Sequence, residues 1–277
     1  LQKNNPKQEG YITVETSNKD PIEFEIETRR LIRPRMKSIF IRCLRFLKEN
    51  DEIIVRLGDR RFGSPGIRMQ TFCEKVFDFK VLVDPFATQD YIPLPDDKNP
   101  YISIIPTNGV HWKVIAPSLR RTNNYFRLSI KCEDKWGNPS NKISDELYLS
   151  TDQKIKNLPN KVFFKIGEFT KIIDKLIVEK ECSFNIFLKN KKGKILAKSN
   201  QITIEDSNYE HFWSDMHGQS KETIGTNSAE DYFDFARNKS FLDICGHQGN
   251  DFQITDDFWK ELNVLTKKFN EDGRFLA

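Results

Sequence analysis

The feature that constrains this chain most is a change in its hydrophobic pattern near residue 207. Before that point, apolar and polar residues alternate over short runs between turn residues, as in "YITVET" (11–16) and "ELYLST" (146–151). After it, apolar stretches of strand length alternate with amphipathic segments of helix length. A period of two is typical of half-buried strands, and alternating strands and helices are typical of a parallel sheet or barrel. The sequence therefore predicts a mainly β protein followed by α/β units.

The part before residue 207 divides into two predicted domains. Residues 1–106 are interpreted as an amino-terminal β-rich domain, a β-sandwich with a Gly- and Pro-rich loop over 58–70. Residues 107–206 contain a series of short strands with turn signals at regular spacing. That pattern and length are typical of an immunoglobulin-like β-sandwich, which we predict for this second domain.

Residues 207–277 predict a strand, a helix, a second strand, a second helix and the first residues of a third strand. Ser228 and Thr255 are the expected N-caps, because their hydroxyls can accept hydrogen bonds from the first free amides of a helix. A complete (β/α) barrel takes about 200 residues or more. We therefore interpret 207–277 as the beginning of an incomplete barrel, and the chain as a piece of a longer protein. The expected buried positions of the second helix are Phe258, Leu262, Leu265 and Phe269.

Charge and hydropathy restrict the possible partners. A net charge of +4 on 44 basic and 40 acidic residues is a small imbalance, so we expect no nucleic-acid partner. The densest basic stretch, residues 29–50, is interpreted as a solvated strand face, with an anion or nucleic-acid contact as the alternative. We expect no membrane partner, because no run approaches the roughly 20 apolar residues of a membrane helix.

The five cysteines are widely spaced and odd in number, and none forms a C-x-x-C motif. This usage favours reduced thiols and a cytoplasmic location, although Leu1 leaves the amino terminus open. A Cys132–Cys182 bridge between two sheets is the alternative, but Trp136 is not placed as the core tryptophan that usually accompanies such a bridge.

Acid and histidine residues occupy the ends of both strands predicted after residue 207. On the first strand Asp215, His217 and Gln219 alternate, and on the second Asp243 precedes His247. If the strands are parallel neighbours, both sets lie towards the carboxyl edge, where α/β proteins bind ligands. Imidazole and carboxylate together suit Zn, Mn or Fe. We therefore predict a divalent metal held by His217 and His247, with Asp215 and Asp243 orienting the histidines.

Three further residues are candidates for the same site. Gln219, Asn250 and Asp251 are expected as substrate contacts or unusual ligands, and the last two could instead be turn and helix-cap residues. Both histidines could also be ordinary hydrogen-bonded residues at strand ends. Cys245 lies in an apolar strand and is expected to be a packed side chain, and Glu222 to be a solvated acid.

Two segments of the same region carry a family resemblance. "WSDMHGQS" (213–220) and "FLDICGHQGND" (241–251) resemble the start of the metal-dependent PHP (polymerase and histidinol phosphatase) barrel. Within that superfamily the chain is most similar to domain of unknown function 3604. Residues 55–86 and "EDKWGNP" (133–139) resemble the amino-terminal region of the same family.

The resemblance implies a distorted (β/α)7 barrel whose first motif, D-L-H-x-H, binds metal through its histidines. Asp215 and His217 match this motif, whereas Gln219 replaces its second histidine. The second motif, T-D-H at a strand end, has no counterpart, since His247 lies three residues before the corresponding position, Asn250.

The residues and the resemblance together favour the amino-terminal part of a metal-dependent, phosphoesterase-like hydrolase. Its substrate would be an unknown small molecule or ester, and the remainder of the barrel would complete the site. We therefore expect this chain alone to be inactive. The alternative is a binding or scaffold protein whose substituted barrel has lost catalysis.

Overall fold

The structure, a computed structural model, describes residues 4–27 and 37–277 and is mainly β, as the alternating pattern predicts. The chain divides into two compact units, Leu1–Thr71 and Phe72–Ala277. The predicted domain boundaries at 106/107 and 206/207 both fall inside the second unit.

The first unit is built from two antiparallel strand pairs, β1 with β4 and β2 with β3. Residues 38–43, part of the basic stretch interpreted as a strand face, form a strand, as their β-branched and aromatic residues predict. Residues 29–36 of the basic stretch lie outside the described residues. The strands are β1 (Ile12–Thr16), β2 (Ile22–Glu27), β3 (Ser38–Cys43) and β4 (Ile53–Leu57).

The predicted loop over 58–70 contains a single 3-10 turn, Arg60–Phe62. Asp59 is buried beneath it and accepts a 2.6 Å hydrogen bond from the Thr13 hydroxyl. Hydrogen bonds from the Arg61 side chain, and then from Thr13, hold the pKa of Asp59 well below its usual range. The ionised carboxylate therefore fastens the loop to β1.

The second unit contains fourteen strands before residue 207. Two short antiparallel pairs, β5–β8 and β6–β7, precede three larger sheets of orders β14-β11-β9, β13-β12-β16-β17 and β10-β18-β15. The strands are β5 (Glu74–Asp78), β6 (Leu82–Val83), β7 (Ile92–Pro93), β8 (Tyr101–Ile104), β9 (His111–Ile115), β10 (Leu119–Arg120), β11 (Phe126–Glu133), β12 (Asp145–Ser150), β13 (Lys161–Phe164), β14 (Thr170–Leu176), β15 (Cys182–Phe184), β16 (Phe187–Lys189), β17 (Ile195–Lys198) and β18 (Ile202–Ile204).

The three larger sheets bury one continuous hydrophobic core. The strands that were predicted from alternation supply most of it, because one face of each strand carries the apolar residues. The core side chains with no exposed surface are Leu128, Ile130, Leu147, Leu176, Ile186, Leu188 and Ile202.

The "EDKWGNP" segment forms a tight loop around a buried carboxylate. Asp134 is 1% exposed and accepts hydrogen bonds from the backbone amides of Thr107, Trp136 and Asn138 and from the Asn138 side chain. Burial by itself would raise the pKa of Asp134, but these hydrogen bonds outweigh it and lower the pKa. The loop therefore depends on the ionised form of this acid.

The remaining part of the second unit has the predicted order of strand, helix, strand and helix. The elements are β19 (Ser214–Gly218), α1 (Ala229–Phe235), a π-helical turn (Ala236–Ser240), β20 (Ile244–His247) and α2 (Asp256–Phe269). β19 and β20 pair in parallel, and Leu276 makes a parallel bridge to Ile244 where a third strand was expected.

Both predicted N-caps are confirmed. The Ser228 hydroxyl accepts a hydrogen bond from the Asp231 amide at the start of α1, and Thr255 accepts from the Phe258 amide at the start of α2. The predicted inner face of α2 is confirmed as well. Its buried residues are Phe258, Leu262, Leu265 and Phe269, which pack with α1 and β20 in a second hydrophobic core.

Two general features complete the fold. All five cysteines lie within the described residues and are free, so the alternative Cys132–Cys182 bridge is not formed. Over residues 4–27 and 37–277, each helix is too short or too polar to span a bilayer.

Candidate functional site

The candidate site lies where β19 and β20 run side by side. Asp215 pairs with Cys245 near the start of the ladder, and Gly218 pairs with His247 at its end. Between these pairs, Met216 and His217 on β19 stand opposite Gly246 alone on β20, which is a bulge. The strict alternation that placed Asp215, His217 and Gln219 on one face is interrupted by this bulge.

At the end of the bulge, Gly218 lies against the ring of Tyr232 from α1. A Cβ atom on Gly218 would be 1.9 Å from the Tyr232 ring, so a side chain has no room there. The Tyr232 hydroxyl donates to the Gly246 carbonyl of β20 at 3.2 Å. The aromatic side chain thus packs against one strand and hydrogen-bonds to the other on the side that faces α1.

The opposite side of the same strands carries Met216. A Cβ atom on Gly246 would lie 3.2 Å from the Met216 methyl group, so Gly246 and Met216 share that side. Met216 is 61% exposed. The two faces of the sheet therefore differ: one is covered by the helices, and the other is open around Met216.

His247 ends β20 and is held from several directions. Its Nε2 atom lies 2.9 Å from the Ser220 hydroxyl. The rings of Tyr232 and Phe258 approach its imidazole edge-on, with centroids 6.0 Å and 5.6 Å away. Burial lowers the pKa of His247, and the nearby Glu222 carboxylate opposes that shift. Burial therefore favours the neutral imidazole, the form that binds metals and accepts protons.

Two polar atoms at this edge are buried without a hydrogen-bond partner among the described residues, His247 Nδ1 and Gln219 Oε1. Buried nitrogen and oxygen atoms are normally paired, and an unpaired one costs about 1–3 kcal/mol. Gln219 follows Gly218, the residue that pairs with His247. The predicted residues Gln219 and His247 therefore each carry a free ligating atom at the end of neighbouring strands.

Asp215 and His217 are both exposed. The Asp215 carboxylate accepts a 3.0 Å hydrogen bond from the His217 backbone amide, a local contact that supports the bulge. The bulged strand leaves the His217 ring at the surface, whereas His247 is partly enclosed.

Asp243 lies just before β20, at the opposite end of the strand from His247. Its carboxylate accepts a 2.9 Å hydrogen bond from the Trp213 amide and lies 4.0 Å from the Arg120 guanidinium. Because a strand rises about 3.3 Å per residue, Asp243 is roughly 13 Å from His247 along the chain. The structure thus places this predicted orienting acid at the strand entrance rather than beside the histidine.

Asn250 and Asp251 make local contacts that are typical of turn residues. The Asn250 side chain donates to Gln253 Oε1 at 2.7 Å, and the Asp251 carboxylate accepts from the Phe252 amide at 2.8 Å. Both contacts belong to the 3-10 turn Asp251–Gln253. This is the turn alternative that the sequence left open for the pair.

Two further residues have structural contacts near the site. Glu222 accepts a 3.2 Å hydrogen bond from the Ala229 amide at the start of α1. Cys245 is buried, and desolvation raises the pKa of its thiol, which favours the packed, unreactive form expected from the sequence.

We tested whether these residues fit the predicted metal. The free Nδ1 of His247, the exposed His217 ring and the free Gln219 oxygen provide suitable donor atoms. Within the part of the chain that the structure describes, however, no group of three or more His, Cys, Asp or Glu side chains is arranged around one point. The donors therefore fit a metal in their chemistry, and a closed coordination shell would need further ligands.

Sequence reasoning missed Ser220 and Tyr232, which bind and orient His247. Neither residue lies on the alternating positions that identified the candidates. Gly218 is the one signal that could have indicated Tyr232, because a glycine inside a strand often marks a close approach by another group.

Comparison with known proteins found uncharacterised relatives. The chain is 24% identical over 222 residues to an uncharacterised protein of Chlamydia muridarum, covering 77% of this chain and 35% of that protein. It is 24% identical over 220 residues to one of Chlamydia trachomatis, with the same coverage. The chain thus spans about a third of the length of these curated relatives. No family model matches it.

Proposed function

We propose that this chain is the amino-terminal part of a metal-dependent hydrolase of the PHP-like type, with a phosphoester or related small-molecule substrate. In this proposal residues 107–206 form an immunoglobulin-like sandwich, and 207–277 form the first units of a PHP-like (β/α) barrel. The observation that carries it is the parallel pairing of β19 with β20, which brings His217, Gln219 and His247 to the same end of two neighbouring strands. The greater length of the relatives is consistent with further ligands elsewhere in the full-length protein.

The proposed ligands are His217 and His247, with the oxygen of Gln219 as a third donor. A bound Zn, Mn or Fe ion would supply a water molecule of lowered pKa and polarise the scissile group. The chain's own contribution is positioning. Ser220 holds one imidazole nitrogen of His247 and leaves the other free, and the Tyr232 and Phe258 rings fix the plane of that imidazole.

The burial of His247 supports the same role. A metal ligand must be deprotonated at one nitrogen, and burial already lowers the pKa of this imidazole. Asp215 lies close in sequence to His217 and supports the bulge that presents it. We further infer a cytoplasmic location, which the five free thiols favour.

The second candidate function is that of a binding or scaffold protein without catalysis. The turn contacts of Asn250 and Asp251 favour it, because both side chains are engaged locally, and so does the exposure of His217. A large β-rich part with its own core could serve partner binding.

A substrate screen on the full-length protein tests the first proposal. The protein would be assayed with Zn²⁺, Mn²⁺ or Fe²⁺ against a panel of phosphomonoesters and phosphodiesters, beside His217→Ala and His247→Ala variants. His111→Ala is a matched control, because His111 is exposed on β9. Hydrolysis that is lost in both site variants and kept in the control supports the hydrolase. Absence of hydrolysis with every metal and substrate favours the scaffold, and hydrolysis that needs no metal contradicts the proposed metal dependence.

A further inference from the structure

We propose that Arg120, from strand β10, is a positioning residue that fixes the register of β19 and β20 from the sheet region before residue 207. Its functional meaning rests on the proposed hydrolase site. The inference itself concerns how the strands that carry His217 and His247 are held.

The Arg120 guanidinium is buried and reaches the entrances of both strands. It donates to the His211 carbonyl at 2.6 Å and to the Leu119 carbonyl at 2.8 Å. It also lies over the Phe212 ring, 4.7 Å from the centroid, and 4.0 Å from the Asp243 carboxylate. One side chain therefore contacts the residues just before β19 and the residue just before β20.

Those two entrances are also bonded to each other. The Trp213 amide donates to the Asp243 carboxylate at 2.9 Å, and the Trp213 carbonyl accepts from the Asp243 and Ile244 amides. Arg120 faces this carboxylate, so it can hold the acid in the orientation that receives the Trp213 amide. The two strands thus start from one cluster of contacts.

The distance from this cluster to the candidate ligands is short. From Trp213 the chain runs four residues to His217, and from Asp243 it runs four residues to His247. In a strand, a register shift of one residue turns each side chain to the other face. A fixed starting point therefore sets the first pairs, Ser214 with Ile244 and Asp215 with Cys245, and the bulge that follows brings Gly218 opposite His247.

Burying an arginine between these segments costs free energy, because desolvation disfavours the charged guanidinium. Burial lowers the pKa of Arg120, and the Asp243 carboxylate opposes that shift. Proteins in which buried charged groups are replaced by apolar side chains of similar size are often no less stable. The guanidinium instead supplies several donors in a planar arrangement, and this geometry can set an orientation.

The test uses Arg120→Met, Arg120→Lys and Asp243→Asn in the full-length protein. Arg127→Met is the matched control, because Arg127 also reaches the region after residue 207 but donates to the carbonyls of Gly273 and Arg274. The readouts are the ¹⁵N imidazole signals of His247, assigned with a His247→Ala variant, and the affinity for Co²⁺.

We expect Arg120→Met and Asp243→Asn to shift the His247 imidazole signals, Arg120→Lys to restore them in part, and Arg127→Met to leave them unchanged. Where the parent protein binds Co²⁺, affinity should fall about tenfold in the first two variants, the size typical when a supporting contact is lost. The inference would be overturned if Asp243→Asn and at least one Arg120 variant fold and leave the His247 imidazole signals unchanged. If the His247 imidazole signals shift but the parent protein binds no metal, the positioning role of Arg120 stands and the proposed metal-dependent hydrolase is rejected.

Discussion

The Ser220 hydroxyl lies 2.9 Å from His247 Nε2 and joins the loop after β19 to the end of β20. Ser220 is completely buried, and its carbonyl accepts from the Thr223 and Gly225 amides, so the hydroxyl is held in a tight turn. This single contact decides which nitrogen of His247 remains free.

Replacing Ser220 with alanine should leave both nitrogens of His247 without a partner. We expect the free energy of unfolding to fall by about 1–3 kcal/mol, the usual cost of an unpaired buried polar group. Urea unfolding followed by tryptophan fluorescence measures the change. Ser214→Ala is the control, since Ser214 is exposed on β19. Equal stability of the two variants would contradict the role of the hydroxyl.

Gly218→Ala should destabilise the protein more than Gly246→Ala. The new Cβ at 218 would overlap the Tyr232 ring, whereas at 246 it would meet the flexible end of Met216 at 3.2 Å. Overpacking of this kind costs about 1–3 kcal/mol, so we expect that loss at 218 and less than about 0.5 kcal/mol at 246. Thermal melts of both variants measure it, and the reverse order would contradict the close packing of Tyr232 on Gly218.

Asp134 should make the second unit sensitive to acid. Its pKa is lowered in the folded protein, so its stabilising effect is fully present above the unfolded value of about 3.9 and is lost as pH falls through the folded pKa. Urea unfolding at pH 7, 5, 4 and 3 should show a steeper loss of stability for the parent than for Asp134→Asn. Asp272→Asn, at an exposed position, should follow the parent. Parallel pH profiles for the parent and Asp134→Asn would refute this.

Thr255→Ala should weaken helix α2. The Thr255 hydroxyl accepts from the Phe258 amide, and loss of an N-cap typically costs about 1 kcal/mol. Because Phe258 packs against His247, the same variant should increase hydrogen exchange at the end of β20. Thr226→Ala, in an exposed loop, is the control. Unchanged hydrogen exchange at His247 would show that α2 does not stabilise the end of β20.

The elements of the α/β segment could be predicted because each has a local signal. Ser228 and Thr255 cap their helices, Leu262 and Leu265 recur at helical spacing, and β20 is a short apolar run. The bulge could not be predicted from the alternating pattern, and neither could the packing of Tyr232 on Gly218, because Tyr232 lies fourteen residues later and meets Gly218 only in the folded chain. For the same reason the pairing of Asp243 with Trp213 was not foreseen. Such contacts arise from the packing of distant segments, which the local pattern does not encode.

The most direct test of the central proposal is the metal content of the full-length protein purified from a medium with Zn, Mn and Fe. We predict at least one equivalent of one of these metals in the parent and in His111→Ala. His217→Ala and His247→Ala should each lose most of it while remaining folded. A parent protein that binds none of these metals, or site variants that retain the full amount, would contradict the proposal that β19 and β20 carry the ligands of a metal-dependent hydrolase.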